Sequence, residues 1–173
     1  KFNFETGLGF TDLSEVSPDN DGLDFEYDKT ALRKFEMIYV SPRAGTFSFG
    51  QGSMASDGAS GVDMSGTGFA HAAAIGDLGG GTEFLLADGT GSNVFVGDVF
   101  DDLDGPRRFR LRYDTPQWNG LTASVAAGRE ILRSGDDRAF YDVALAYVLE
   151  TDAYSAEAVL SYEWIDRSEE RVL

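Results

Sequence analysis

Arg108, Arg110 and Arg112 lie on one face of the alternating segment Arg107–Asp114, with Phe109, Leu111 and Tyr113 on the other. Three guanidinium groups about 6–7 Å apart along a strand repel one another unless water or acid screens them. Such a row is either the solvated face of a soluble strand or a cationic ladder lining a water-filled passage, where it would act on permeating ions. The stretch before it supplies the opposite charge. Residues 52–106 hold Asp57, Asp63, Asp77, Glu83, Asp88, Asp98, Asp101, Asp102 and Asp104 and contain no lysine or arginine. At 55 residues this stretch far exceeds the ~12–15 of an ordinary unstructured connection. It is either an exposed acidic loop or one folded in against the arginines. Its carboxylates and glycines are also ingredients of a calcium loop. Neither the EF-hand spacing nor a glycine-rich nonapeptide repeat fits residues 79–98, so calcium would be incidental at most.

Other chemistry is thin. The chain has no cysteine, which removes disulfides and thiolate sites, and its single histidine leaves no partner for a histidine-based metal centre. That histidine, His71, sits in an alanine-rich run, where a packed or capping residue of a short helix over residues 68–78 is expected rather than a catalytic one. Asp101, Asp102 and Asp104 read as a solvated turn, not as a spaced pair of glycosidase carboxylates. Gly79-Gly80-Gly81 lacks the Lys-Ser/Thr of a phosphate loop. The balance of 14 Lys+Arg against 30 Asp+Glu, a net charge of −16, argues against nucleic acid despite the arginine run. No catalytic residue, metal site or cofactor is expected.

These residues must be positioned by strands, because the dominant period is two. Residues 1–10, 121–128, 140–149 and 155–164 each alternate an apolar with a polar or small side chain. Seven strands are predicted, at roughly 1–10, 30–41, 46–51, 107–114, 121–130, 139–149 and 155–165. Short connections rich in turn formers alternate with long, acidic, glycine-rich ones. Tyr39, Tyr113, Trp118, Tyr147, Tyr162 and Trp164 cluster where the apolar faces meet turns and loops, as amphipathic rings at a membrane interface would. Charges such as Lys34, Glu36, Asp142 and Glu157 stand mid-strand on the opposite face. No apolar run approaches the ~18–20 residues of a membrane helix. A transmembrane β-barrel needs only ~9–11 alternating residues per strand. The pattern fits such a barrel or a soluble β-sandwich.

Particular runs narrow the choice. Phe47-Ser48-Phe49-Gly50-Gln51-Gly52-Ser53-Met54-Ala55-Ser56-Asp57-Gly58, followed by Val62-Asp63-Met64-Ser65-Gly66-Thr67, resembles the strand that leads into the constriction loop of trimeric Gram-negative porins. Val96-Gly97-Asp98-Val99-Phe100-Asp101-Asp102-Leu103-Asp104-Gly105 and Arg110-Leu111-Arg112-Tyr113-Asp114-Thr115-Pro116 resemble the end of that loop and the next strand. Asp142-Val143-Ala144-Leu145-Ala146-Tyr147 is similar to a later strand. The likeness is to general diffusion porins that lack a Pro-Glu-Phe-Gly-Gly loop motif, which is absent here too.

The resemblance implies an all-β, antiparallel transmembrane barrel of about sixteen strands, in the bacterial outer membrane as a homotrimer. Its partners would be the lipid bilayer, lipopolysaccharide and small hydrophilic solutes that diffuse through passively. Residues 1–173 would be one barrel domain, incomplete at both ends, with residues 52–106 as its constriction loop. Carried over by position, Asp57 and Asp63 fall in the loop's first motif and Asp98, Asp101 and Asp102 in its last. Arg108, Arg110, Arg112 and Lys34 become the cationic wall, and the net charge suggests mild cation preference. The rival readings are a non-conducting outer-membrane barrel, an anchor or adhesin, and a secreted β-sandwich module for carbohydrate.

Overall fold

The computed structural model describes residues 1–7, 17–18, 29–62, 64, 79–100 and 105–166. Asp63, Asp101, Asp102, Asp104, His71 and the short helix expected over residues 68–78 lie outside the described residues. The chain divides into two units.

The first unit, Lys1–Gly7, Lys29–Val62 and Asp104–Leu173, carries a seven-stranded sheet. Its strands are β1 (Phe2–Thr6), β2 (Leu32–Ser41), β3 (Gly45–Ser53), β6 (Arg107–Asp114), β7 (Leu121–Arg129), β8 (Ala139–Glu150) and β9 (Ser155–Asp166). They lie in chain order, β1-β2-β3-β6-β7-β8-β9, and every pair is antiparallel. The connections β2–β3, β6–β7 and β8–β9 are the short turns foreseen. β1–β2, β3–β6 and β7–β8 are the long connections, all at the other end of the sheet. All seven expected strands are present among the described residues. β3, β8 and β9 extend beyond the predicted limits, and β1 ends at Thr6.

Strict alternation gives the sheet two unlike faces. On one face Phe4, Phe35, Met37, Tyr39, Phe49, Leu111, Val143, Leu160, Tyr162 and Trp164 are exposed, Leu160 by 71%. On the other, Glu36, Ser48, Arg110, Ser124 and Asp142 are buried. This inverts the arrangement a water-soluble sheet needs, since apolar area left in water costs roughly 25 cal/mol per Å². The buried apolar cluster is correspondingly small: Met54, Ala55, Ala126 and Phe140, with Ile165 against it. A β-sandwich would bury the apolar face, so that reading has no support here.

The second unit, Leu8–Asp28 and Asp63–Leu103, contains elements that the sequence pattern did not reveal. β4 (Glu83–Leu85) and β5 (Gly91–Phe95) form an antiparallel hairpin, and α1 (Val96–Val99) is a single helical turn. The long connection therefore has local structure of its own.

Candidate functional site

The buried charges of the polar face are brought together by the register. Arg110 on β6 lies beside Gly50 on β3, which lies beside Glu36 on β2. The Arg110 guanidinium crosses β3 and pairs with Glu36 Oε2. Gly52 leaves it the room. A Cβ there would come within 2.7 Å of Glu36 Oε2 and 2.8 Å of Arg110 Nη2, inside the ion pair. Glu36 Oε1 accepts from the Asn3 amide at 3.0 Å, so the network runs from β1 to β6. Both charges are almost fully buried, and the pair is stable only because the remaining donors are also satisfied. Arg110 Nε donates to Ser53 O at 2.9 Å and Nη1 to Gly50 O at 3.1 Å.

Its neighbours are also engaged. Arg112 Nη2 pairs with Asp114 at 2.8 Å, two residues on along the same face, and Asp114 also accepts from the Ser124 hydroxyl at 2.6 Å. Arg112 Nη1 donates to the Met54 carbonyl oxygen. Arg108 pairs with Glu130 at 3.2 Å and stacks over the Phe140 ring at 4.2 Å. Lys34 reaches Glu5 at 3.1 Å, and Arg33 pairs with the same carboxylate. The ladder is thus on the polar face as the alternation requires, with a carboxylate for each arginine. Among the described residues those carboxylates come from Glu36, Asp114 and Glu130, not from residues 52–106. What the long connection contributes is backbone, at Met54.

Arg110 departs furthest from a solvated wall cation, at 4% exposed. The departing chain buries it. Met54 is fully buried, packed on Ala126 of β7 and Phe140 of β8. Ser56 then meets Asp142 on β8. The Ser56 backbone N–H and hydroxyl both donate to Asp142 Oδ2, at 2.7 and 2.6 Å. The Gly105 N–H, where the connection returns, donates to Ser56 Oγ at 2.8 Å. One carboxylate therefore holds both limbs of the 54–105 connection on the polar face. Sequence reasoning placed Asp142 only as a mid-strand charge and missed Glu36 and Gly52 as partners of Arg110. The available signal was Gly50-Gln51-Gly52, because glycines alternating within a strand mark a close approach.

The remaining candidates separate. Asp57 is half-buried in the turn that follows Ser56. Asp98 is exposed and accepts the Phe95 N–H at 3.0 Å, capping α1. Among the aromatics, Tyr39, Trp118, Tyr147, Tyr162 and Trp164 are exposed on the apolar side, Trp118 by 72%. Tyr113 is half-buried with its ring 4.8 Å from Phe47. Tyr39, Tyr113, Trp118 and Tyr147 lie toward the short turns, whereas Trp164 faces Tyr141 near the long-connection end. Among the described residues no group of three or more acidic or histidine side chains could hold a metal ion.

The family model described as Gram-negative porin matches residues 2–171. The chain belongs to the Gram-negative porin family. No curated protein and no solved structure is a match. Family membership puts this porin in the bacterial outer membrane and explains the inverted sheet, because lipid solvates the Phe, Leu, Val and Tyr face and polar side chains gather on the other. It also gives a reason for the charge network. Ions buried on the polar face persist only when they are paired.

Three ionisable groups outside the strands, Asp136, Arg138 and Asp88, have shifted protonation. The hydrogen bond from Arg138 holds the Asp136 carboxyl at about 2, well below its ordinary value, and Asp136 in turn raises the Arg138 guanidinium. Bonds from the Thr90 hydroxyl and backbone N–H lower the Asp88 carboxyl.

Proposed function

We propose that this porin forms a water-filled channel for passive diffusion of small hydrophilic solutes and ions, within a barrel of about sixteen strands assembled as a homotrimer. One observation carries the reading. The polar face of the sheet holds ionisable side chains and the root of a long connection, while the apolar face is left for lipid. Residues 52–106 are the constriction loop, with Asp57, Asp63, Asp98, Asp101 and Asp102 as its candidate acids. Arg108, Arg112 and Lys34 are the wall cations that act on permeating ions, and Arg110 anchors the loop. The excess of acid favours mild cation preference, although a charged constriction outweighs distant charge beyond the ~8 Å screening length.

Planar-bilayer recording of the complete gene product tests this. Stepwise openings, grouped in threes, are expected, with a reversal potential of cation sign under a salt gradient. Removing residues 60–98 enlarges the step and admits larger sugars. A silent protein that is nevertheless folded and membrane-inserted overturns the channel. Unchanged exclusion after the deletion overturns the loop's role.

A further inference from the structure

Asp142 on β8 and Glu163 on β9 stand directly opposite each other in the register, where facing Cβ atoms are ~4.5–5.5 Å apart. Asp142 is 3% exposed. Its Oδ2 is occupied by the two bonds from Ser56. Its Oδ1 is buried with no hydrogen-bond partner among the described residues, and so is Glu163 Oε1. Two facing carboxylates repel, and a buried charged oxygen without a donor is costly. Both groups converge beneath Gly105. A Cβ on that residue would overlap Ser56 Oγ and lie 3.0 Å from Asp142 Oδ2 and 3.3 Å from Glu163 Oε1. The only side chain that fits above the pair is a hydrogen atom.

We infer that Asp142 and Glu163 hold one proton between them, carried by Glu163 and donated to Asp142 Oδ1, and that this proton keeps the loop root latched to the wall. A single proton satisfies both orphan oxygens and leaves one negative charge on the pair. That charge stays on Asp142, where the Ser56 N–H and hydroxyl already point. Among the described residues, the other charges facing the pair are Arg108 of β6 and Arg138 of the β7–β8 connection, held by Glu130 and Asp136 respectively. β7 presents Ala126 beside Asp142. The loop root presents Ser56 and Gly105, with Asp57 as its ionisable neighbour among the described residues. Alkaline solution strips the proton, sets two carboxylates face to face and loosens Ser56, and with it both limbs of the loop.

The functional consequence rests on the channel reading above, so two readouts are needed. The first is infrared difference spectroscopy of the complete protein in lipid vesicles at neutral pH. A protonated-carboxyl band should be present in wild type, lost in Glu163→Gln and in Asp142→Asn, and lost from wild type on alkaline titration. A wild type without the band, or a band that survives in both variants, overturns the proposal. The second is channel recording against pH. Wild-type steps should become heterogeneous over the alkaline range in which the band disappears. Glu163→Gln, whose amide N–H replaces the O–H toward Asp142, should lack that transition. A transition in Glu163→Gln at the wild-type pH overturns the latch. A transition that moves when K⁺ is exchanged for Cs⁺ at constant ionic strength assigns the site to a bound cation and overturns the proton. Because the infrared band needs no ion flow, a silent bilayer with the band intact refutes the channel and leaves the shared proton standing.

Discussion

The connection between β3 and β6 contains two described regions that are held in different ways. At its root the side-chain bonds span the chain: Ser56 to Asp142 across 86 residues, Met54 to Arg112 across 58 and Gly105 to Ser56 across 49. In the hairpin and the helical turn after it they are short-range. Asp88 binds Thr90 two residues on, Asp98 binds Phe95 three residues back and Glu83 binds Asn93 across ten. The root can form only once β6 and β8 are in register, because its partners do not otherwise meet. The hairpin is specified by its own turn. Damage at the root should therefore reach the wall, while damage in the hairpin should stay local.

The largest effect is expected where the root rests on buried charge. Glu36→Ala leaves the Arg110 guanidinium buried without its counter-ion, a loss of about 3–5 kcal/mol, measurable by denaturant unfolding of the membrane-inserted protein. Replacing both Glu36 and Arg110 by leucine should cost less than either single change, since no bare charge remains. A double variant as damaged as Glu36→Ala would mean that the Arg110 bonds to Ser53 and Gly50, rather than the ion pair, carry the site. One step smaller is Ser56→Ala, which removes the hydroxyl joining Asp142 to Gly105 and should cost about 1–3 kcal/mol. Amide exchange at residues 83–95 should be unchanged in that variant. Faster exchange there would erase the distinction between root and hairpin.

The same contrast separates what was legible in the sequence from what was not. Every sheet strand was readable, because a chain with lipid on one side and polar groups on the other must alternate residue by residue. Arg108, Arg110 and Arg112 fell on one face for that reason. The hairpin was hidden. Glu83–Leu85 is too short to display a period, and it lies in a run whose glycines and acids look like loop. The partners of the arginines were hidden differently. Nothing in the neighbourhood of Arg110 indicates that Glu36, 74 residues earlier, is its counter-ion. Register decides that, and register follows from the whole sheet. The nearer acids of the long connection were the natural guess, but the described carboxylates that face the arginines are on the wall and its β7–β8 connection.

A smaller effect belongs to the local region. Asp98→Ala removes the acceptor of the Phe95 N–H at the start of α1. The loss of such a cap is worth about 0.5–2 kcal/mol, and for a single exposed turn the lower end applies. Exchange of the Phe95 amide should quicken while unfolding of the sheet is unaffected. A change in the sheet's midpoint would show that the hairpin and wall are coupled after all.

The smallest and most local case is Asp136, whose partner Arg138 is two residues away in the β7–β8 connection. The Arg138 hydrogen bond holds its carboxyl at about 2 against an ordinary 3.8. The folded value is depressed, so the pair's contribution is complete above about 3.8 and is lost as pH falls toward 2. The pair lies at the surface, so concentrated salt should screen much of that contribution. A carboxyl-carbon chemical-shift titration should therefore find Asp136 changing near 2 in dilute salt, and closer to its ordinary value both in concentrated salt and in Arg138→Gln. Arg108, the further cation acting on this carboxyl, gives the discriminating variant. In Arg108→Gln the midpoint should rise much less than in Arg138→Gln. An equal rise in the two would mean that the wall's field, not the neighbouring donor, sets this carboxylate, and that even a pair only two residues apart answers to the sheet.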